Sequence, residues 1–443
     1  MNIQLSDHFT YRKLLRFALP SIIMMIFTSI YGVVDGLFVS NFVGKAALTA
    51  INLIMPYLIL FGCSGFMIGT GGSALVSKTL GMGEHKKANE IFSMLVFFGI
   101  ALGIVLTILG IILLRPVAIL LGAEGLILKY CIDYGIILIA AATAYILQYV
   151  FQSFCTTAEK PKLSLTMMLV AGICNIVLDI FFVGVFGWGL IGAAVATAIS
   201  QYLGAMIPLI YFLFPNSSLL RLGKFHFDGK ALLRSCANGA SELLSNLSMS
   251  VVGILYNTQL LRYAGEDGIA AYGVIMYVNF VFLAIFIGFV ISTAPLIGFN
   301  YGADNREELK NIFRKSLIII STVALLMTAS ALVLAKPLSL IFVSYDSALL
   351  QMTIRGFIIY ALSYLICGFN IFGSSLFTAL NNGLISAIIS ILRTLVFQIA
   401  TIVVLPVLFG LDGVWAAIVA AEFAALMVTV FYIIKYRGRY HYA

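Results

Sequence analysis

LVSKTLGMGEHKKANEIF occupies residues 75–92, and LIGFNYGADNREELKNIF occupies residues 296–313. One displacement of 221 residues superimposes them, setting Gly81 on Gly302 and Ile91-Phe92 on Ile312-Phe313. Further out, it carries Gly44 onto Gly265, Ala50 onto Ala271 and Arg115-Pro116 onto Lys336-Pro337. Gly135 falls on Gly356, Phe151 on Phe372 and Gly189-Leu190 on Gly410-Leu411, with no gap from residue 44 to residue 201. The chain is therefore a tandem repeat of two similar units. The repeat supplies its own control, because a buried charge present in one copy and missing from its twin points to function rather than to the shared scaffold.

Hydrophobic residues make up 62% of the 443 and charged residues only 10%, with a mean hydropathy of +1.09. A soluble domain carries about 25% charged residues, so this composition belongs in lipid. Apolar runs long enough to span, about 20 residues each, fall near 17–42, 51–76, 91–114, 129–153, 164–186 and 190–213. They continue near 236–262, 270–298, 315–335, 350–377, 386–408 and 413–435. The runs are too long for barrel strands and lack period-two alternation. The expected fold is an all-α membrane protein with twelve transmembrane helices. They form two six-helix bundles, related as parallel repeats, around a central cleft. The longest polar break runs from Pro215 to Arg234. The expected division is thus an N-lobe at 1–214, a cytoplasmic linker at 215–234 and a C-lobe at 235–443.

The net charge of +8 does not indicate a nucleic-acid partner. With the N-terminus inside, nineteen Lys and Arg fall in cytoplasmic segments, among them Arg12, Lys86, Lys162, Arg221, Arg314 and Arg437. The opposite side holds only Lys45, Arg115, Lys129, Arg262 and Lys336. This positive-inside asymmetry puts both termini in the cytoplasm, with the basic excess against anionic lipid. Met1 to Arg16 is polar and basic and leads into a run too long for a cleavable signal. Cys63, Cys131, Cys155, Cys174, Cys236 and Cys367 include no C-x-x-C pair and read as small buried hydrophobes, with neither a disulfide nor a zinc site expected.

The paired loops at 75–92 and 296–313 resemble the multidrug and toxic compound extrusion (MATE) family. So do ALPSIIMMIFTSIYGVVDGLFVSNFVG at 18–44 and NLSMSVVGILYNTQLLRYAG at 246–265. The likeness covers about residues 14–435 and is greatest to the MepA-like branch. It implies a two-lobe, twelve-helix transporter that exports drug-like organic, often cationic, compounds against an inward flow of H⁺ or Na⁺.

Ionisable groups inside a membrane are costly and mark function by default. In the first repeat they are Asp35, Asp133 and Asp179; in the second, Glu242, Arg355, Arg393 and Glu422. Asp35 and Asp179 each lie eight residues before the outer end of a helix, and Thr197 eight after the start of the next. At 1.5 Å per residue all three sit about 12 Å below the outer boundary. Asn175 is one turn from Asp179 on the same face. Depth alone leaves their lateral convergence open. The resemblance implies it, since Asp35, Asn175, Asp179 and Thr197 match the family's N-lobe cation site position by position. Their twins are Tyr256, Val396, Ala400 and Ile418, none a carboxylate. Two carboxylates in one low-dielectric layer repel when both are ionised. Uptake of H⁺ relieves that repulsion, and so does Na⁺, a hard cation suited to these oxygens.

Glu242, a few residues inside its apolar run, reads as an interfacial carboxylate. Arg393 and Glu422 are deeper, on adjacent helices, and read as an ion pair with substrate contact as the alternative. Asp133 and Lys129 suit an i,i+4 pair, and Arg355 can snorkel to the outer interface. Ser245, Asn246, Ser248, Asn257, Tyr277, Asn279, Asn370 and Ser374, with Met24, Met25, Met55 and Met67, offer an adaptable cavity lining. The substrate-cavity residues singled out are Tyr31, Asn246, Glu242, Arg393 and Glu422. Pro20, Pro56 and Pro295 are candidate kinks.

Gly69 to Ala74 fits G-x-G-x-x-A but has no strand before it, so it reads as close helix packing. No G-x-x-x-x-G-K-[ST], H-E-x-x-H or G-x-S-x-G occurs, and His8, His85, His226 and His441 fall in loops and termini. The expectation is an inner-membrane antiporter, not an enzyme. It would act as a monomer without a cofactor, with H⁺ or Na⁺ as coupling ion, a small organic substrate and membrane lipid as partners, and no nucleic acid. The alternative is a flippase of a lipid-linked precursor, which would want a strongly cationic cleft.

Overall fold

The computed structural model describes residues 3–344 and 346–443, with the side chains of residues 32–42 and 45 outside the described set. Every regular element among the described residues is helical. The first half comprises α1 (Tyr11–Phe42), α2 (Lys45–Gly81), α3 (His85–Leu120), α4 (Gly125–Ala140 and Ala142–Thr157), α5 (Pro161–Asp179 continued by Ile180–Val185) and α6 (Gly189–Leu213). A continuous trace over Gly229–Gly302 then breaks at Gly265, where φ is 64° and ψ −151°. It is therefore two spans, α7 (229–264) and α8 (266–302). α9 (Arg306–Val343), α10 (Ser347–Ala361 and Tyr364–Ala379), α11 (Gly383–Ile391, Leu392–Val396 and Phe397–Phe409) and α12 (Leu411–Tyr440) complete the set.

The repeat governs where the helices bend. Gly44 and its twin Gly265 both have positive φ, at 105° and 64°, a conformation glycine adopts without penalty. α4 bends by 53° at Ala141, and α10 by 46° at the twin position, Leu362. Pro20, Pro56 and Pro295 lie inside helices that continue through them. The breaks fall elsewhere, because a membrane helix can continue through a proline when its surroundings satisfy the freed backbone groups. One departure from symmetry matters for the site: α5 carries a π-helical turn at Ile180–Val185 and α11 one at Leu392–Val396, which are not twin positions.

The segments around Phe9 and Tyr442 lie on one face of the bundle, both against the start of α9. Toward that face the two halves meet through glycines. A Cβ added at Gly239 would lie 1.9 Å from Met67 O, and one at Gly71 2.0 Å from Ser235 O. α8 repeats the device against α1, where a Cβ at Gly288 would lie 2.7 Å from Ser21 O. Backbone meets backbone here, as small residues allow between membrane helices.

The segments leading into the halves are crossed. Residues 3–10 precede α1 but dock on α9 of the second half. There Glu308 Oε1 accepts from Phe9 N at 2.9 Å, Glu308 Oε2 is 2.6 Å from His8 Nδ1, and Asn311 Nδ2 donates to Phe9 O at 2.9 Å. Leu5 and Phe9 are fully buried. The segment before α7 docks on α3 of the first half, with Arg221 N donating to Asn89 Oδ1 at 2.6 Å and Gly223 N to Ser93 Oγ at 3.0 Å. α7 itself starts at Gly229, within the stretch expected as linker, capped by Asp228 Oδ1 accepting from Lys230 N and Ala231 N at 3.0 Å.

Candidate functional site

Two chambers lie between the helices. The larger, of about 690 Å³, is bounded by α1, α2 and α4 of the first half and by α7, α8, α10, α11 and α12 of the second. The smaller, of about 250 Å³, lies within the first half between α1, α2, α4, α5 and α6.

Asn175 and Asp179 on α5 have no exposed surface, and Thr197 on α6 is almost as buried. Asn175 Nδ2 donates to Thr197 Oγ1 at 3.3 Å, so two of the four matched side chains do meet across helices. Asn175 Oδ1 is buried without a hydrogen-bond partner among the described residues. Asp179 is the last residue before the π turn of α5. Such turns alter the direction of the following side chains and recur at functional sites. Thr197 also lines the smaller chamber. The Asp35 side chain lies outside the described residues. An oxygen set of this kind fits a hard monovalent cation rather than a transition metal. Among the described residues, no cluster of three His, Cys, Asp or Glu could hold a metal.

The second half places its charges in the larger chamber. The π turn of α11 carries Arg393. Its guanidinium grips Glu422 of α12, with Nε 2.9 and 3.0 Å from Oε1 and Oε2 and Nη2 2.8 Å from Oε1. Asn370 Nδ2 donates to Glu422 Oε2 at 2.7 Å, and Thr429 Oγ1 donates to Asn370 Oδ1 at 3.0 Å. A buried pair is tolerated when its remaining lone pairs are engaged in this way.

Glu242 corrects a sequence expectation. It is not interfacial: α7 starts at Gly229, so Glu242 stands thirteen residues into the helix and on the wall of the larger chamber. The basic Lys230 and Arg234 belong to the exposed first turns of α7 and disguised its start. No hydrogen bond or ion pair from the described residues engages the Glu242 carboxylate. Since Arg393 is taken up by Glu422, Glu242 is the one carboxylate of this chamber that no ion pair engages among the described residues.

Other expectations divide. Asn246, Ser245, Asn279, Ser374 and Met25 line the larger chamber, and Met55 the smaller. Tyr31 lines the smaller chamber with Thr197, away from Asn246, Glu242, Arg393 and Glu422. Asn370 lies behind Glu422 rather than on the wall, and Tyr277 stacks on Phe342 with ring centroids 6.0 Å apart. No ion pair joins Asp133 to Lys129. Arg355 is paired with Asp412 rather than left to snorkel.

Tyr145, Tyr149 and the parallel stack of Tyr256 on Tyr272, with centroids 5.2 Å apart, were missed. The signal available for the first pair was its i,i+4 spacing beside Gln148 and Gln152, which also line the smaller chamber.

The MatE family model matches residues 20–181 and again residues 243–404, once in each repeat. The chain belongs to the MatE family. Among curated MatE-like relatives it is 27% identical over 420 residues to the "Multidrug export protein MepA" of Staphylococcus saprophyticus, covering 94% of this chain and 92% of that one. It is 26% identical over 420 residues, with the same coverage, to the protein of that name from Staphylococcus aureus. The fold of this MatE protein matches a solved structure described as the "outward-facing conformation of a multidrug resistance MATE family transporter", with a TM-score of 0.93 at 22% identity over 100% of this chain and 99% of that one. It also matches a Pyrococcus furiosus transporter described as having reverse polarity of its binding pocket, with a TM-score of 0.88 at 23% identity over 96% and 95% of the two chains.

Proposed function

We propose that this chain is a multidrug antiporter of the bacterial inner membrane, with both termini in the cytoplasm, exporting lipophilic organic cations as a monomer by alternating access. The observation that carries the reading is the chamber of about 690 Å³ between the halves, with the Glu242 carboxylate outside any ion pair on its wall. A cavity of that size takes a drug-sized molecule. Its Tyr256–Tyr272 stack and methionines suit flat, varied apolar cations. The glycine contacts between the halves lie on the side of the chain ends, so this state is closed toward the cytoplasm and faces outward. Inward H⁺ or Na⁺ at Asp35, Asn175, Asp179 and Thr197 drives the return. A flippase for a pyrophosphate-linked lipid would need free cations in the cleft, and Arg393 is taken up by Glu422.

The test is transport of a fluorescent organic cation in proteoliposomes, with H⁺ and Na⁺ gradients imposed separately. Uptake against a concentration gradient under either ion, abolished in Asp179→Asn, supports the reading. Equal uptake without any ion gradient sinks it.

A further inference from the structure

The two chambers share three residues of wall, Ile59 on α2 and Tyr145 and Tyr149 on α4. The tyrosines are one turn apart, below the bend at Ala141, with ring centroids 5.2 Å apart and planes at 65°. α4 is pressed onto α2 behind them. A Cβ at Gly65 would lie 2.3 Å from Ile146 O, and one at Gly69 2.9 Å from Tyr149 O. At Gly62 the approach is of a different kind: an added Cβ would meet the Tyr145 ring itself, 2.5 Å from Cε1. Tyr149 closes the other side by an edge contact with Phe66, at 5.6 Å. The backbones at Gly65 and Gly69 leave no room for a side chain between α2 and α4, whereas the rings can turn about their side-chain torsions. Among the described residues shared by the two chambers, the aromatic pair is the larger movable part of the wall.

We propose that Tyr145 and Tyr149 form the coupling partition of this transporter, a pair of positioning residues that keeps the cation chamber separate from the substrate chamber. The inference rests on the antiport reading above. Cation and substrate then share no ligand. Occupancy of the Asn175–Thr197 side reaches the Glu242 side through the posture of the two rings and the α2–α4 contact behind them. α2 also forms the glycine contacts with α7, so a shift of α2 against α4 acts directly on the closed face. Removing a ring merges the chambers. Ions then pass without substrate, and substrate competes directly with the ion.

The experiment uses the full-length chain in proteoliposomes and reads three quantities: substrate affinity, gradient-driven accumulation of the organic cation, and ion flux without substrate. Tyr145→Ala and Tyr149→Ala are expected to keep affinity within about threefold, to lose accumulation by tenfold or more, and to raise the substrate-free ion flux by a similar factor. Tyr149→Phe should behave as wild type. Gly62→Ala tests the idea without deleting a ring, because its methyl pushes Tyr145 aside, and the same leak is expected. Alanine variants that bind substrate and couple as wild type overturn the partition, as does a Gly62→Ala chain that folds and stays tight. A merely structural role would lower affinity and flux together. Wild-type protein with no ion-dependent transport would instead overturn the antiport reading, which separates the two failures.

Discussion

Gly81 and Gly302 hold the same place in the two repeats, and each receives the backbone of the other half. A Cβ at Gly81 would lie 2.0 Å from Phe299 O, and one at Gly302 2.0 Å from Lys78 O. Lys78 and Phe299 are themselves twins under the displacement of 221 residues. The contact is thus a pseudo-twofold one, with the local axis passing between α2 and α8. Such a contact is made or broken as a unit, since carbonyl oxygens cannot yield as a flexible side chain can.

The first prediction is that Gly81→Ala and Gly302→Ala disfavour the state closed at this face without unfolding the halves. Overpacking costs about 1–3 kcal/mol, which is a shift of about 5–150-fold between two states. Ser77, fully buried beside Gly298 on the same seam, reports the change. In a chain with its native cysteines replaced and Ser77→Cys introduced, either alanine should speed labelling by a bulky thiol reagent. Unchanged labelling would mean that the contact is not part of the closure.

The second concerns Arg393 and Glu422. Removing one member strands the other in a buried place, costing about 3–5 kcal/mol, whereas replacing both by apolar residues is close to neutral. Arg393→Met and Glu422→Leu should each lower the melting temperature in detergent sharply, and the double variant should recover most of the loss. If the singles and the double add, the pair does not act as a unit. Asn370→Ala, which removes a donor to Glu422, should cost less than either single.

Glu242 makes the third. As the only carboxylate of the larger chamber without a partner among the described residues, it is, on the proposed reading, the counter-charge for a cationic substrate. A hydrogen bond or contact to a charged group contributes about 1.5–3 kcal/mol. Glu242→Gln should therefore weaken binding of monocations by about 10–150-fold, and of neutral analogues much less. Equal loss for both classes would assign Glu242 to packing.

The architecture could be read from residues because spanning runs and twin glycines are local facts. Gly44, Gly189, Gly265 and Gly410 announce turns wherever they stand, and all four have positive φ. The site was legible only in part. Asn175 meets Thr197 because α5 and α6 pack side by side, and depth counting reaches the layer but not the contact. The π turns at Ile180–Val185 and Leu392–Val396 left no trace, since one extra residue per turn changes hydrogen-bond register and not composition. Glu242 was misplaced because charged residues in the first turns of α7 hid how early the helix begins. Tyr145 and Tyr149 were missed because a tyrosine pair at helical spacing has the signature of ordinary packing.

The crossed arms carry the last prediction. Leu5 N donates to Glu159 Oε1 at 2.6 Å, which ties the N-terminal segment to the α4–α5 loop of the first half, while Phe9 and His8 tie it to Glu308 of the second. Opening this face must break one of the two ties. Burial raises the Glu159 carboxyl above its usual value of 4.5, more than the Leu5 amide and the charge of Lys160 lower it, with Asp7 adding to the rise. A folded value above the unfolded one means that the folded chain, in which the arm is docked, binds a proton at Glu159 more tightly than the unfolded chain does. That contribution is present below the unfolded value and is lost as pH rises through the folded one. Protection of the Leu5 amide from hydrogen exchange, corrected for intrinsic rates, should therefore fall as pH rises through the range just above 4.5. Glu159→Gln keeps an acceptor for Leu5 N and has no charge to desolvate, so its arm should hold the same protection across that range. A wild-type arm equally protected on both sides of it would show that Glu159 does not govern docking, and would leave Glu308 as the anchor.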